Sequence, residues 1–176
     1  AEQPADLQDP PSGRRRSGRV IAARRRTAAL LNVLVAGVFL SGCGRETPGR
    51  KLYGPNCGIC HHGGDGLPGE IPPLAGRLDV IASTPEGKRY LANVLLNGLA
   101  GPIKARGEDY DFGMPSFRRL TDEQISLILN WLISRGKTSP LPVITPEDIA
   151  TARRNTGDPE SSHKERVELD KLHPIP

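Results

Sequence analysis

The segment PNCGICHHGG, Pro55 to Gly64, sets Cys57 and Cys60 three positions apart and puts His61 directly after the second. Four chemistries use closely spaced thiols. A structural zinc site needs four ligands, usually two such pairs or a pair with two spaced histidines. No second C-x-x-C exists in the chain, and His163 and His173 lie far downstream with a poor spacing. A thioredoxin-like redox pair needs a strand–helix–strand setting, and strand-like runs are scarce here. A disulfide across two residues would strain its loop and leave the histidine without a role.

The fourth chemistry is covalent attachment of haem, the meaning of C-x-x-C-H. Cys57 and Cys60 would each bond a haem vinyl group, which holds the adjacent imidazole of His61 under the iron as one axial ligand. His62 is one place too far and reads as a solvated neighbour. The expected cofactor is therefore a single covalently bound haem c. A six-coordinate iron needs a second ligand, and the chain has one methionine, Met114, in DFGMPSF, Asp111 to Phe117. Gly113 frees the backbone before it and Pro115 stiffens it after, a loop setting ill suited to core filler. Met114 is thus expected on the iron opposite His61, a pairing that raises the haem potential relative to harder ligands.

Upstream, the charge is unevenly placed. Residues 1–42 carry seven arginines against Glu2, Asp6 and Asp9; of the chain's 24 basic and 20 acidic residues, 17 of each remain in 43–176. With no basic surplus outside the N-terminal arm, nucleic acid is excluded as an expected partner. The arginines precede TAALLNVLVAGVFLSG, Thr27 to Gly42. This uncharged run is short of the roughly 20 residues of a spanning helix and has the flank and length of an export signal. Residues 1–19, with acids and prolines, are atypical of such a signal and read as lying upstream of the true start. The run ends in LSGC, Leu40 to Cys43, which resembles the lipobox of bacterial lipoproteins. That resemblance implies lipidation of Cys43 and anchoring on the periplasmic side of a bacterial membrane, inner or outer. An uncleaved anchor with Cys43 a bystander is the alternative. The expected organisation is an export signal at 1–42, a linker at 43–48, a domain at 49–136 and an extension at 137–176.

Helix signals fill the domain. Thr47-Pro48 reads as a helix start. In STPEGKRYLANVLLNG, Thr84 caps, Pro85 takes the first position and Gly98 stops, with Leu91, Val94 and Leu95 on one face. In LTDEQISLILNWLISRG, Thr121 and Gln124 make a capping box, and Ile125, Ile128, Leu129 and Leu132 form a stripe with Trp131 alongside. The expected fold is small and all-α, its helices wrapped around the haem.

Over residues 49–136 the sequence resembles a class I cytochrome c. GRKLYGPNCGICH looks like that family's N-terminal helix and haem motif, with Gly49 and Tyr53 at the glycine and aromatic positions. Trp131 matches the aromatic of the C-terminal helix, and the resemblance implies that the two helices cross at the glycine. IPPLAG, Ile71 to Gly76, is similar to the family's proline–leucine turn. It implies that the Pro72 carbonyl accepts a hydrogen bond from the proximal imidazole, fixing its orientation. PPLAG, NGLAGPI, MPSF and ITPEDIATAR further resemble cytochrome subunits that accompany periplasmic dehydrogenases. GPIKARGEDYDFGMP, Gly101 to Pro115, departs from the plain pattern and reads as a small hairpin at the haem edge. Beyond residue 136 a short helix at 146–154, capped by Thr145, is expected. The remainder reads as an extended arm, either a flexible tail or a strap laid across a partner subunit.

The function these readings imply is one-electron transfer by a membrane-tethered monohaem carrier in a periplasmic respiratory chain. Its partners would be a dehydrogenase donor and an oxidase or other acceptor. The alternative is a haem-bearing docking subunit held stably in a respiratory or dehydrogenase complex. Lys104, Arg106, Arg118 and Arg119 are candidates to ring the haem edge and steer an acidic partner, or else a solvated rim. An enzyme is disfavoured: a peroxidase needs an open iron position, and its dihaem form needs two attachment motifs where this chain has one.

Overall fold

The first helix, α1, runs Pro48–Tyr53 with proline at its first turn, and continues through a wider π-helical turn at Gly54–Gly58 into α2, Ile59–His61. The computed structural model describes residues 46–176, so the export segment and Cys43 lie outside the described residues. The helical run ends at His62, whose φ of 51° no helix can accommodate. Next come the short α3, Leu78–Ile81, and α4, Pro85–Asn97. Thr84 Oγ1 accepts from the Gly87 amide (3.0 Å), satisfying one of the free N–H groups of the α4 N-terminus.

Strands β1, Ile103–Ala105, and β2, Glu108–Tyr110, pair antiparallel with Ile103 opposite Tyr110. Arg106 (φ 51°) and Gly107 (φ 85°) turn between them; two left-handed residues give the turn whose twist matches its strands. This is the hairpin expected in 101–115. Helix α5, Asp122–Ile133, starts with the Thr121–Gln124 capping box, and its expected stripe is fully buried, with Ile125, Ile128 and Leu129 at 0% exposure.

Helices α1 and α5 cross where Gly49 lies against α5. A Cβ at Gly49 would overlap the Leu127 carbonyl oxygen and come within 2.7 Å of Trp131 Cβ. Only glycine permits this approach. One turn on, the Tyr53 and Trp131 rings stack tilted at 48° with centroids 4.6 Å apart, a favoured aromatic arrangement.

The C-terminal extension differs from expectation. Helix α6, Pro146–Arg153, forms behind the anticipated Thr145 cap, which Asp148 completes as a capping box. The expected extended arm is instead a second helix, α7, Pro159–Leu172, started by a reciprocal Asp158–Ser161 cap with proline at its first turn. It lies on its own chain: Glu165 accepts from Arg89 Nε (2.9 Å) and Asn93 Nδ2 (2.7 Å) of α4. Ile144, Ile149, Ala152 and Leu169 belong to the same buried core as α4 and α5. The link between is pinned at both ends. Asp79 Oδ2 accepts from the amides of Lys137 and Thr138 and from the Thr138 hydroxyl (2.9, 3.1 and 2.6 Å). Asn130 bonds both the amide and the carbonyl of Ile144 (3.0 and 2.7 Å). Among the described residues no helix is long and apolar enough to cross a membrane.

Candidate functional site

Cys57, Cys60 and His61 stand at i, i+3 and i+4 of the first helical run, so they share one face, and all three line a single cavity together with Pro72 and Met114. The cavity is open at its mouth; the space within it not filled by protein atoms is about 1160 Å³, solvent at the mouth included, and its walls are apolar. Leu91, Val94 and Leu95 of α4 and Ile128, Leu129 and Leu132 of α5 supply much of them. The two stripes that would close a helical core thus face an opening, as they do when a bound apolar body completes the core.

The two cysteines are not bonded to each other; Cys57 is buried and Cys60 exposed. Burial pushes the Cys57 thiol up to about 11, so it stays protonated at neutral pH and is not a reactive thiolate.

His61 is 7% exposed. Its Nδ1–H donates to the Pro72 carbonyl oxygen at 3.0 Å. A carbonyl offers only lone pairs, so Nδ1 carries the proton. Burial outweighs that hydrogen bond and holds the imidazole below its ordinary range, with Arg77 and His62 adding to the effect. The ring is therefore neutral, and its Nε2 lone pair is free to bind a metal. His62, by contrast, is exposed.

Met114 reaches the cavity from other elements. Its amide donates to the Leu99 carbonyl (2.8 Å) and its carbonyl accepts from the Leu99 amide (3.0 Å). Phe117 N–H donates to the Leu95 carbonyl (2.7 Å) and Ser116 Oγ to the Leu96 carbonyl (2.6 Å). The loop is thereby stapled to the C-terminal end of α4. Gly98 (φ 85°) makes room for it, since a Cβ there would come within 2.6 Å of the Met114 carbonyl oxygen.

A soft thioether, a neutral imidazole nitrogen and two unpaired thiols thus meet at one apolar cavity, which is the donor set of a covalently held haem. Among the described residues no three His, Cys, Asp or Glu side chains cluster as a bare metal site would require. His163 Nε2 instead pairs with the Pro102 carbonyl oxygen (2.8 Å).

The four cations proposed for the haem edge do not themselves line the cavity. Lys104 pairs with Asp109 (2.6 Å), and Arg106 donates to the Ala75 carbonyl. Arg118 turns away to Asn97 Oδ1 (3.1 Å) and the Arg153 carbonyl (2.7 Å). Arg119 comes nearest, bonding Asn56 Oδ1 (2.8 Å) and lying over the ring of Phe117, both lining residues.

Sequence reasoning missed Arg77, Tyr90, Tyr110 and Arg166, which also line the cavity. Arg77 directly follows the PPLAG turn, a weak positional signal; Arg166 sits in the tail, where nothing marked it. Burial and the neighbouring Arg166 guanidinium push Arg77 down to about 10.

The helix crossing, the turn beside the imidazole and the donor set together define a class I c-type cytochrome. The chain belongs to the family described as cytochrome c oxidase, cbb3-type, subunit III, which matches residues 44–132. It is similar to a cytochrome c-552 of Thermus thermophilus, 34% identical over 142 residues that cover 77% of this chain and 95% of that one. A second Thermus thermophilus cytochrome c-552 is 35% identical over 70% of this chain and 98% of its own length. The cytochrome c subunit of the quinone alcohol dehydrogenase of Gluconacetobacter polyoxogenes is 32% identical over 72% of this chain and 26% of that longer protein. Family membership implies covalently bound haem c and electron transfer.

Proposed function

We propose that the chain carries single electrons on the periplasmic side of a bacterial membrane, tethered through lipid on Cys43. Cys57 and Cys60 would hold the haem by thioether bonds, and His61 Nε2 and Met114 Sδ would take its two axial positions. Bound there, the haem supplies Fe(II)/Fe(III) chemistry, and no bond is made in a substrate. The protein's part is positional. The Pro72 carbonyl fixes the ring plane of His61 and raises its basicity. The thioether of Met114 favours the reduced iron. The leucine and isoleucine walls exclude water, and Phe112, 69% exposed at the cavity rim, offers an apolar contact for a redox partner. The observation that carries this reading is the convergence of Cys57, Cys60, His61 and Met114 on one apolar cavity.

A second reading has the same electron chemistry in a stable complex with a dehydrogenase or another respiratory enzyme. It is supported by the relative described as a dehydrogenase cytochrome c subunit. The experiment is expression in a host with c-type maturation, followed by denaturing mass spectrometry and a potentiometric titration. One haem retained under denaturing conditions and a one-electron Nernst curve are expected. Loss of haem on denaturation would contradict the attachment. A one-to-one dehydrogenase partner copurifying from the native membrane would favour the second reading.

A further inference from the structure

We propose that Arg153, the last residue of α6, is a positioning residue for Met114. It latches the C-terminal half of the methionine loop, so that a helix outside the family-matched residues 44–132 keeps the thioether on the iron. The proposal rests on the reading of Met114 as an axial ligand.

The two halves of the loop are held by different elements. Met114, Ser116 and Phe117 are bonded to the chain at the C-terminal end of α4. Beyond them, the Leu120 amide closes a turn on the Phe117 carbonyl (2.9 Å). Among the described residues neither the Arg118 nor the Leu120 carbonyl accepts from a backbone amide. Arg153 takes both, through Nη1 to Arg118 (2.8 Å) and Nη2 to Leu120 (2.7 Å). Its Nε donates to Asp122 Oδ1 at 2.6 Å. One planar guanidinium thus meets two carbonyls and a carboxylate at once, which its fixed fork of donors permits.

Arg118 bonds in the opposite direction. Its Nη2 donates to the Arg153 carbonyl oxygen (2.7 Å), one of the free carbonyls at the end of α6, and its Nη1 to Asn97 Oδ1 (3.1 Å). Asp122 stands in the first turn of α5 and Arg153 in the last turn of α6, so each charge lies at the helix end that favours it. Their side chains are 31% and 27% exposed, sheltered enough to limit screening by salt.

The latch bears on the ligand because Phe117, the residue before Arg118, lines the same cavity as Met114. A soft, neutral thioether matches ferric iron poorly, so the loop decides how firmly it stays bound. For Met114 to leave, its loop must swing outward, and the contacts on 118–120 oppose that movement. An added ligand binds only the open fraction, and its apparent affinity scales with that fraction. Losing the equivalent of one charge-assisted hydrogen bond raises the open fraction about tenfold.

The test uses the holoprotein, with covalent haem first verified by mass. Imidazole is titrated into the ferric forms of wild type, Arg153→Gln, Arg153→Lys and Asp79→Asn, following loss of the far-red band of iron-bound thioether. Arg153→Gln should bind imidazole about tenfold more tightly than wild type. Arg153→Lys keeps a charge beside Asp122 but lacks the fork, and should recover the wild-type affinity only in part. Asp79→Asn loosens the 137–138 link without touching the loop and should leave the imidazole affinity unchanged, which separates positioning from a general loss of stability. If Arg153→Gln accumulates no holoprotein, Arg118→Gln reads the same latch from its other side. Wild-type imidazole affinity in Arg153→Gln, or an equal rise in Asp79→Asn, overturns the latch and leaves the haem reading intact. A wild-type ferric spectrum without the far-red band overturns the reading of Met114 instead.

Discussion

Replacing Gly49 by alanine pits two effects of opposite sign against each other. In an exposed helix interior the change would stabilise the chain by about 1 kcal/mol, because alanine loses less backbone entropy. Here the new Cβ would overlap the Leu127 carbonyl oxygen and stand 2.7 Å from Trp131 Cβ. The obstructing atoms belong to helix backbone and a Cβ, so no flexible side chain can swing aside. Overpacking of this kind costs about 1–3 kcal/mol, and the backbone contact puts Gly49 at the upper end. The net expectation is a loss of about 2 kcal/mol. For a domain of this size that lowers the melting temperature by about 6–10 °C. Gly54 is the internal control. Its φ of −47° is helical and a Cβ there meets nothing within 4 Å, so Gly54→Ala should be neutral or stabilising by up to about 1 kcal/mol. Thermal unfolding of the two holoprotein variants, followed by far-UV circular dichroism, reads both signs. Equal stability of Gly49→Ala and wild type would refute the close α1–α5 crossing.

The extension gives two further tests. Burial opposes the charge of Asp79, but hydrogen bonds from Thr138 and Lys137 prevail and hold its carboxyl below the ordinary 3.8. A depressed native value adds stability above the unfolded one and loses it as pH falls through the native one. Asp79→Asn should therefore cost about 1–3 kcal/mol at neutral pH and flatten the loss of stability below about pH 4; urea midpoints between pH 2 and 7 measure both. Asn130→Ala leaves the Ile144 amide without its partner and removes one of two donors to its carbonyl. A loss of about 1–3 kcal/mol is expected, with faster amide exchange through α6 than through α1. Finally, Cys43→Ala should move the protein from the membrane to the soluble fraction, and the acyl mass should vanish from the N-terminal peptide; an unchanged distribution would refute lipid anchoring.

Much of the domain was legible because its signals are local. The Thr121–Gln124 capping box and the Thr84 and Thr145 caps form as expected from their positions. The haem motif could be read because three donor groups in five residues admit few chemistries. Helix α7 was not legible because its buried stripe, Ser162, Arg166 and Leu169, holds a single apolar residue. Hydrophobic periodicity is silent on such a face. Its one start signal, Asp158-Pro159 with Ser161, was hidden among prolines and charges that read as an extended arm. Arg77 and Arg166 were missed for a related reason. A buried cation betrays itself only when its surroundings are known, and these two are brought together by the fold across most of the domain.

The central claim is that Met114 closes the iron coordination begun by His61. The direct measurement is the optical spectrum of the ferric holoprotein, searched for the weak far-red band of thioether sulfur bound to ferric haem, beside a Met114→Ala variant. The account expects the band in the wild type and its loss in the variant, with a lower midpoint potential. A wild-type spectrum without the band, or a band that survives Met114→Ala, would contradict it.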